Sequence, residues 1–347
     1  MYNYYANYLN NDPNVIKFID WVSTNSVVIN SCKNTQELKE VLDRRSSILN
    51  IHTVNLLSGN VNISATIEFN NESHTVLKLS KYNSEDSLYR TFDSDDPFLR
   101  NRLIKNSLYS EDFGILYHGD PEIVISMYEP GLSVQKVLSV SSVEKIEEIN
   151  DKSISAISKF HKLPVRTHCT DLIQLLCMFK SALYRRPVYQ KEEDLIKFIN
   201  SKISEIVKFE SKFEDKDFVY SHLNANPTKM IFGNDQKVRL IDFEFAGVGL
   251  KYYDYANYYN FLNEWHLKEF DLDVLWEMNH QFINCCESEI ENFDYKDFNK
   301  CTDYMKFVWG TWYLLSGICN EDETSLKFGL DWMNYPCENV NDYIYWK

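Results

Sequence analysis

Positive charge is in short supply. Lysine and arginine number 36 against 51 aspartates and glutamates, a formal net charge of −15 on 347 residues. Nucleic-acid binders and polybasic membrane anchors need a cationic surface, so the balance argues against both. A nucleotide is not excluded, because a few local cations and backbone N–H groups suffice for its phosphates. Long apolar runs are missing too. No stretch of about 18 such residues occurs, which argues against a membrane-spanning helix. Met1-Tyr2-Asn3-Tyr4-Tyr5 lacks the basic-then-apolar order of a signal peptide, and the expected location is cytoplasmic. The eight cysteines, the adjacent Cys285-Cys286 included, have neither zinc-site nor redox spacing. Buried free thiols in a reducing compartment are expected.

What is present suffices for two packed lobes, each with its own core. Residues 1–50 read as helices with breaks, with a capping-box signal at Asn34-Thr35-Gln36-Glu37. From Ile51 to Leu79 the pattern changes to strands, the last being Thr75-Val76-Leu77-Lys78-Leu79. A helix over 97–109 and strands over 113–119 and 122–128 follow. Glu129-Pro130-Gly131 breaks the pattern and predicts a boundary between a lobe of residues 1–130 and one of 131–347. Beyond it, helical periodicity runs through 143–161, 171–184 and 192–209.

The most informative stretch is Phe218 to Tyr259. A short apolar strand leads into the polar loop His222-Leu223-Asn224-Ala225-Asn226-Pro227-Thr228-Lys229. Two more strands, 230–232 and 238–241, flank Gly233-Asn234-Asp235, a hairpin signal. The second ends on Asp242, and a carboxylate after a buried strand is a common holder of a hard cation such as Mg²⁺. Near the C-terminus, Phe307-Val308-Trp309-Gly310-Thr311-Trp312 sets two indoles on one helix face. Such a pair either fills a core or forms a site for a quaternary cation, which indole faces attract.

These motifs resemble the choline/ethanolamine kinase family, within the aminoglycoside-phosphotransferase-like branch of the kinase fold. The resemblance rests on His222, on Ile241-Asp242-Phe243-Glu244-Phe245-Ala246-Gly247, on Tyr253-Asp254-Tyr255-Ala256-Asn257 and on the tryptophan motif. It implies an α+β, two-lobed protein-kinase-like fold: a small nucleotide-covering lobe with an antiparallel sheet, and a large, mostly helical lobe with the catalytic loop, metal and amine sites. It implies ATP and Mg²⁺ as cofactors, with Asp242 as metal ligand. The turn around Gly59 would fold over the phosphates, or be an ordinary hairpin turn. Lys78 would face the α/β-phosphates, or be a solvated lysine on an edge strand. Adenine would meet backbone groups near Met127 to Glu129. Asp254 would brace the catalytic loop, and Glu244, Phe245, Glu264, Trp309 and Trp312 would line the site for choline, ethanolamine or a related small amine. The family's habit of pairing makes a homodimer one implied assembly. His161 ends a helix in a motif similar to the family's and reads as a packed histidine.

Three positions depart from the family pattern. The loop aspartate, two residues after His222, is Asn224, and the loop asparagine, seven after it, is Lys229. The small-lobe helix acid falls at or near Asn101, in a segment without Asp or Glu. The family reaction is ATP-dependent phosphorylation of choline or ethanolamine, and these departures predict lost or strongly reduced activity, a pseudokinase. Two alternatives stay open: a divergent but active choline/ethanolamine kinase of phospholipid synthesis, and a phosphotransferase for another small hydroxylated substrate.

Overall fold

The structure, a computed structural model, describes residues 12–57, 62–80, 115–119, 123–127, 131–163, 171–184, 193–265 and 272–335. The expected helix over 97–109 with Asn101, and the positions Gly59 and Glu129, lie outside them. The chain divides into two units, Met1–Glu129 and Pro130–Lys347.

In the first unit, Asp12 opens helix α1 (Pro13–Thr24) by accepting from the backbone N–H groups of Asn14 and Val15, and Pro13 needs no such partner. Val15, Phe18 and Val22 recur on one face and are buried. Two short helices, α2 (Ser26–Asn30) and α4 (Ser46–Leu49), flank α3 (Thr35–Asp43). The predicted capping signal forms at α3: Asn34 Oδ1 accepts from Glu37 N at 2.9 Å, and Glu37 accepts from Lys33 N at 2.7 Å. The strands β1 (Ile51–Leu57), β2 (Asn62–Phe69), β3 (His74–Ser80), β4 (Ile115–Gly119) and β5 (Ile123–Met127) form one antiparallel sheet in the order β1-β2-β3-β5-β4. Along β3 the buried residues are Thr75, Leu77 and Leu79, while Val76 and Lys78 are half-buried, the period of two that a one-faced core imposes. Phe18, Leu38, Leu42, Phe69, Leu77 and Ile125 belong to one core cluster, which closes the helices over the sheet.

The second unit holds two smaller sheets among helices. Strand β6 (Gly131–Ser133) leads into α5 (Val134–Leu138) and α6 (Val143–His161), whose Ile146, Ile149, Ile154, Ile157 and Phe160 are buried as their spacing predicts. Helices α7 (Leu172–Tyr184) and α8 (Glu193–Glu210) precede β7 (Phe218–Ser221). The hairpin of β8 (Met230–Gly233) and β9 (Val238–Leu240) pairs Met230 with Leu240 and adds to β6. Its tip is longer than the expected turn: Gly233 N donates to Lys237 O, and Arg239 grips Asp235 with two hydrogen bonds of 2.9 and 2.6 Å.

A further strand, β10 (Gly247–Leu250), returns antiparallel to β7, pairing Gly247 with Ser221 and Leu250 with Phe218. The stretch from 218 to 250 thus closes on itself. Gly249 makes the closure possible, since a Cβ there would sit 2.9 Å from both Leu223 Cδ2 and Ser221 Oγ. Four helices complete the unit: α9 (Tyr253–Trp265), α10 (Leu272–Glu289), α11 (Tyr295–Asn320) and α12 (Glu323–Met333). Helices α11 and α12 pack backbone to backbone at Gly310, where a Cβ would meet Gly329 O at 2.8 Å.

Among the described residues no helix is long and apolar enough to cross a membrane. Five cysteines are free thiols there, Cys286 and Cys301 buried and Cys32, Cys177 and Cys285 half-buried.

Candidate active site

The loop after β7 is held chiefly by one carboxylate. Asp254, on the first turn of α9 and fully buried, accepts from His222 N through Oδ2 and from Leu223 N through Oδ1, both at 2.7 Å. An acid at a helix N-terminus is also favoured by the helix dipole. His161 closes the arrangement from the end of α6, its Nε2 2.9 Å from Asp254 Oδ2. Its side chain is 8% exposed, and an acid lies against it that its own sequence neighbourhood does not reveal.

His222 is a staple. The Ile241 carbonyl only accepts, so the 2.9 Å contact from His222 Nε2 puts the proton on that nitrogen. Nδ1 then accepts from Asn224 N at 3.3 Å. Burial pushes the pKa of this imidazole below its ordinary value and keeps it neutral. Leu223 sits in the left-handed region at φ 57°, costly for a side chain of its kind. Both of its backbone groups are engaged, the N–H by Asp254 and the carbonyl by the indole N–H of Trp309 at 3.2 Å.

The side chains that the frame presents are unusual for phosphoryl transfer. Asn224 is 4% exposed, and its Oδ1 accepts from Asn226 Nδ2 at 2.8 Å. Asn226 Oδ1 in turn accepts from Thr228 N at 2.9 Å and caps the short 3₁₀ turn Pro227–Lys229. Lys229 Nζ, at the end of that turn, donates to Asp242 Oδ2. Asp242 follows β9 in a left-handed conformation, φ 67° and ψ 61°, ahead of the 3₁₀ turn Phe243–Phe245. Among the described side chains the donor set does not fit a resident Mg²⁺. A hard cation wants several oxygens, whereas Asp242 already neutralises an ammonium.

An aromatic cluster stands beside the loop. Phe245 meets Trp309 and Trp312 nearly at right angles, with centroid separations of 5.2 and 5.7 Å, and the two indoles are 6.4 Å apart at 78°. Phe179 of α7 packs on Trp312 at 5.3 Å and on Phe245 at 6.2 Å. Phe179, Phe245 and Trp309 are buried, and Trp312 is half-buried. Edge-to-face packing of this kind sets the electropositive edge of one ring against the electron-rich face of the next.

The same outline recurs in solved structures. The chain matches the ethanolamine kinase of Plasmodium vivax with a TM-score of 0.61 at 15% identity, over 95% of each chain. It matches the choline kinase LicA of Streptococcus pneumoniae with a TM-score of 0.59 at 14% identity, over 86% of this chain and 99% of that one. A gentamicin-bound aminoglycoside phosphotransferase, APH(2")-IIa, follows with 0.56 and 15%, over 88% and 98%. Its fold is that of the two-lobed, protein-kinase-like phosphotransferases. No protein-family model and no curated protein matches the chain in sequence.

Within this phosphotransferase fold several of the expected site residues of the second unit come together. His222, Asn224, Lys229 and Asp242 converge on the loop, and Phe245, Trp309 and Trp312 meet in the cluster. Glu264 lies in the last turn of α9, half-buried, and Glu244 lies in the turn after Asp242, its side chain outside the described residues. Lys78 sits on β3 between Ser64 and Val124, and the backbone of Met127 pairs with Thr75 at the edge of the same ladder. Sequence reasoning passed over Asn226 and Phe179. Only the step of two from Asn224 signals the first, and Phe179 shares its apolar helical face with Leu172, Leu175 and Leu176.

Proposed function

We propose that this protein binds choline, ethanolamine or a related small amine together with ATP, and that phosphoryl transfer is lost or strongly reduced. The amide at position 224 carries the reading. In an active loop a carboxylate there accepts or orients the proton of the attacking hydroxyl. An amide oxygen is essentially non-basic at neutral pH, and Asn224 Oδ1 already accepts from Asn226. Losing a general base costs about 10²–10⁴-fold in rate.

The frame around that amide supports retained binding. Asp254 fixes the loop through backbone N–H groups and is indifferent to what residue 224 carries. Trp312, half-buried beside the buried Phe245 and Trp309, is the ring of the cluster with surface to offer a cation that has no hydrogen-bond donors. ATP is the nucleotide that the fold's kinase members imply, with Lys78 the basic residue on β3 assigned to its phosphates. The ethanolamine and choline kinases matched above make the amine the preferred substrate class. The aromatic cluster favours it over a sugar-like acceptor.

ADP release with choline and with ethanolamine, at neutral pH with Mg²⁺, tests the reading against the double variant Asn224→Asp/Lys229→Asn. The expected result is a silent parent and a variant faster by about 10²–10⁴-fold. Asn226 can donate to a carboxylate as it does to the amide, so the loop accommodates the change. Turnover by the parent at ordinary kinase rates, roughly 1–100 s⁻¹, would overturn the reading.

A further inference from the structure

Lys229 occupies the place where a divalent cation would meet Asp242. Its ammonium donates to Asp242 Oδ2, with the two side chains 29% and 16% exposed. A lysine ammonium carries three N–H donors. One is committed to Asp242, and the partial exposure leaves the group open to a second, anionic partner. The approach of both residues is fixed by backbone: Ile241 N donates to Lys229 O at 2.9 Å, tying the 3₁₀ turn to the residue before Asp242. Lys229 N donates to Asn226 O at 2.8 Å, and Asn226 is locked to Asn224 and Thr228. The cation is therefore built into the loop.

We infer that the Lys229 ammonium replaces the metal ion at Asp242, so that this chain takes a nucleoside triphosphate in its metal-free form. The inference rests on the nucleotide-binding reading above and specifies its ligand. A divalent ion bridges a carboxylate and phosphate oxygens by coordinating both. An ammonium bridges them by donating to both, as a charge-assisted hydrogen-bond pair. It supplies one positive charge where the metal supplies two, enough to hold a phosphate tail and poor at stabilising a departing phosphoryl group. Free Mg²⁺ gains little from entering, because it must first displace the ammonium already bonded to Asp242.

Calorimetric titration of the full chain with ATP, once in EDTA and once in excess Mg²⁺, tests the inference, with choline present throughout. The parent is expected to bind in EDTA with an affinity within about threefold of that in Mg²⁺, a difference smaller than one charge-assisted hydrogen bond. Lys229→Ala should lose on the order of tenfold or more of the metal-free affinity, and Lys229→Arg should keep it. Lys229→Asn should make binding depend on Mg²⁺. Binding by the parent in Mg²⁺ alone would overturn the inference and leave the nucleotide reading standing. Undiminished metal-free binding by a folded Lys229→Ala would do the same. Silence of the parent in both buffers would overturn the nucleotide reading and the inference with it. Should Lys229→Ala not fold, the parent's own comparison still decides.

Discussion

The loop from His222 to Lys229 and the aromatic face of α11 touch through one hydrogen bond, from the Trp309 indole to the Leu223 carbonyl. They encode their tasks in different ways. The loop works through the identity of single atoms. Asparagine has the shape of aspartate, and the exchange changes proton affinity without moving the frame that Asp254 holds. The aromatic face works through surface: what matters is where ring planes stand, which packing against Phe179 and the close approach at Gly310 decide. Chemistry of the first kind disappears by one substitution while the fold persists. Recognition of the second kind fades only as the packing is dismantled.

The comparison can be broken most forcefully at Asp254. Asp254→Ala strips the acceptor from His222 N, Leu223 N and His161 Nε2 together, inside the protein. We expect a loss of roughly 3–5 kcal/mol in urea unfolding, the scale of orphaning several buried charge-assisted bonds. Asn224→Asp, by contrast, keeps the Asn226 donor and should cost less, about 1–2 kcal/mol for desolvating its carboxylate. Equal losses at 254 and 224 would show that frame and working group are one system.

A smaller effect is expected on the aromatic side. Trp312→Ala removes a half-buried ring face and should weaken choline binding by about 0.5–2 kcal/mol, read by titration of the folded variant. Unaltered choline affinity would move the amine site away from this cluster.

The smallest effect is a dependence on pH. Burial pushes the Glu210 carboxyl up to about 7, at the end of α8, where Tyr253 Oη donates to it at 2.7 Å. The folded protein therefore holds a proton there that the unfolded chain has released above its ordinary value of 4.5. That contribution to stability is complete at acid pH and is lost as the pH rises through 7. Between pH 6 and 8 the loss should be about 1 kcal/mol, absent in Glu210→Gln. Since Tyr253 adjoins Asp254, the slope belongs to the frame, and choline affinity of the folded protein should not follow it.

Much of this architecture was legible in the sequence. Alternating burial on β3, the Asn34 cap and the hairpin ending on Asp242 all follow from local patterns, which the chain spells out residue by residue. The loop and the tryptophan pair were legible because they are short motifs with fixed spacing. Other features depend on approach between distant segments. His161 meets its acid 93 residues onward, and nothing near either residue announces the other. Strand β10 was missed because Gly-Val-Gly-Leu carries no alternation, its role being to lie close to β7. The Lys229–Asp242 bond joins two positions that were each read singly, as a damaged ligand and a surviving one.

The backbone brace at Asp254 also bears on how this chain can change over generations. The carboxylate grips main-chain groups, which every residue type at 222 and 223 except proline supplies. Positions 224 and 229 can therefore drift between chemistries under whatever selection acts, while the shape around them is inherited unchanged. A pair of codons, at 224 and 229, can change without touching either backbone group that Asp254 grips.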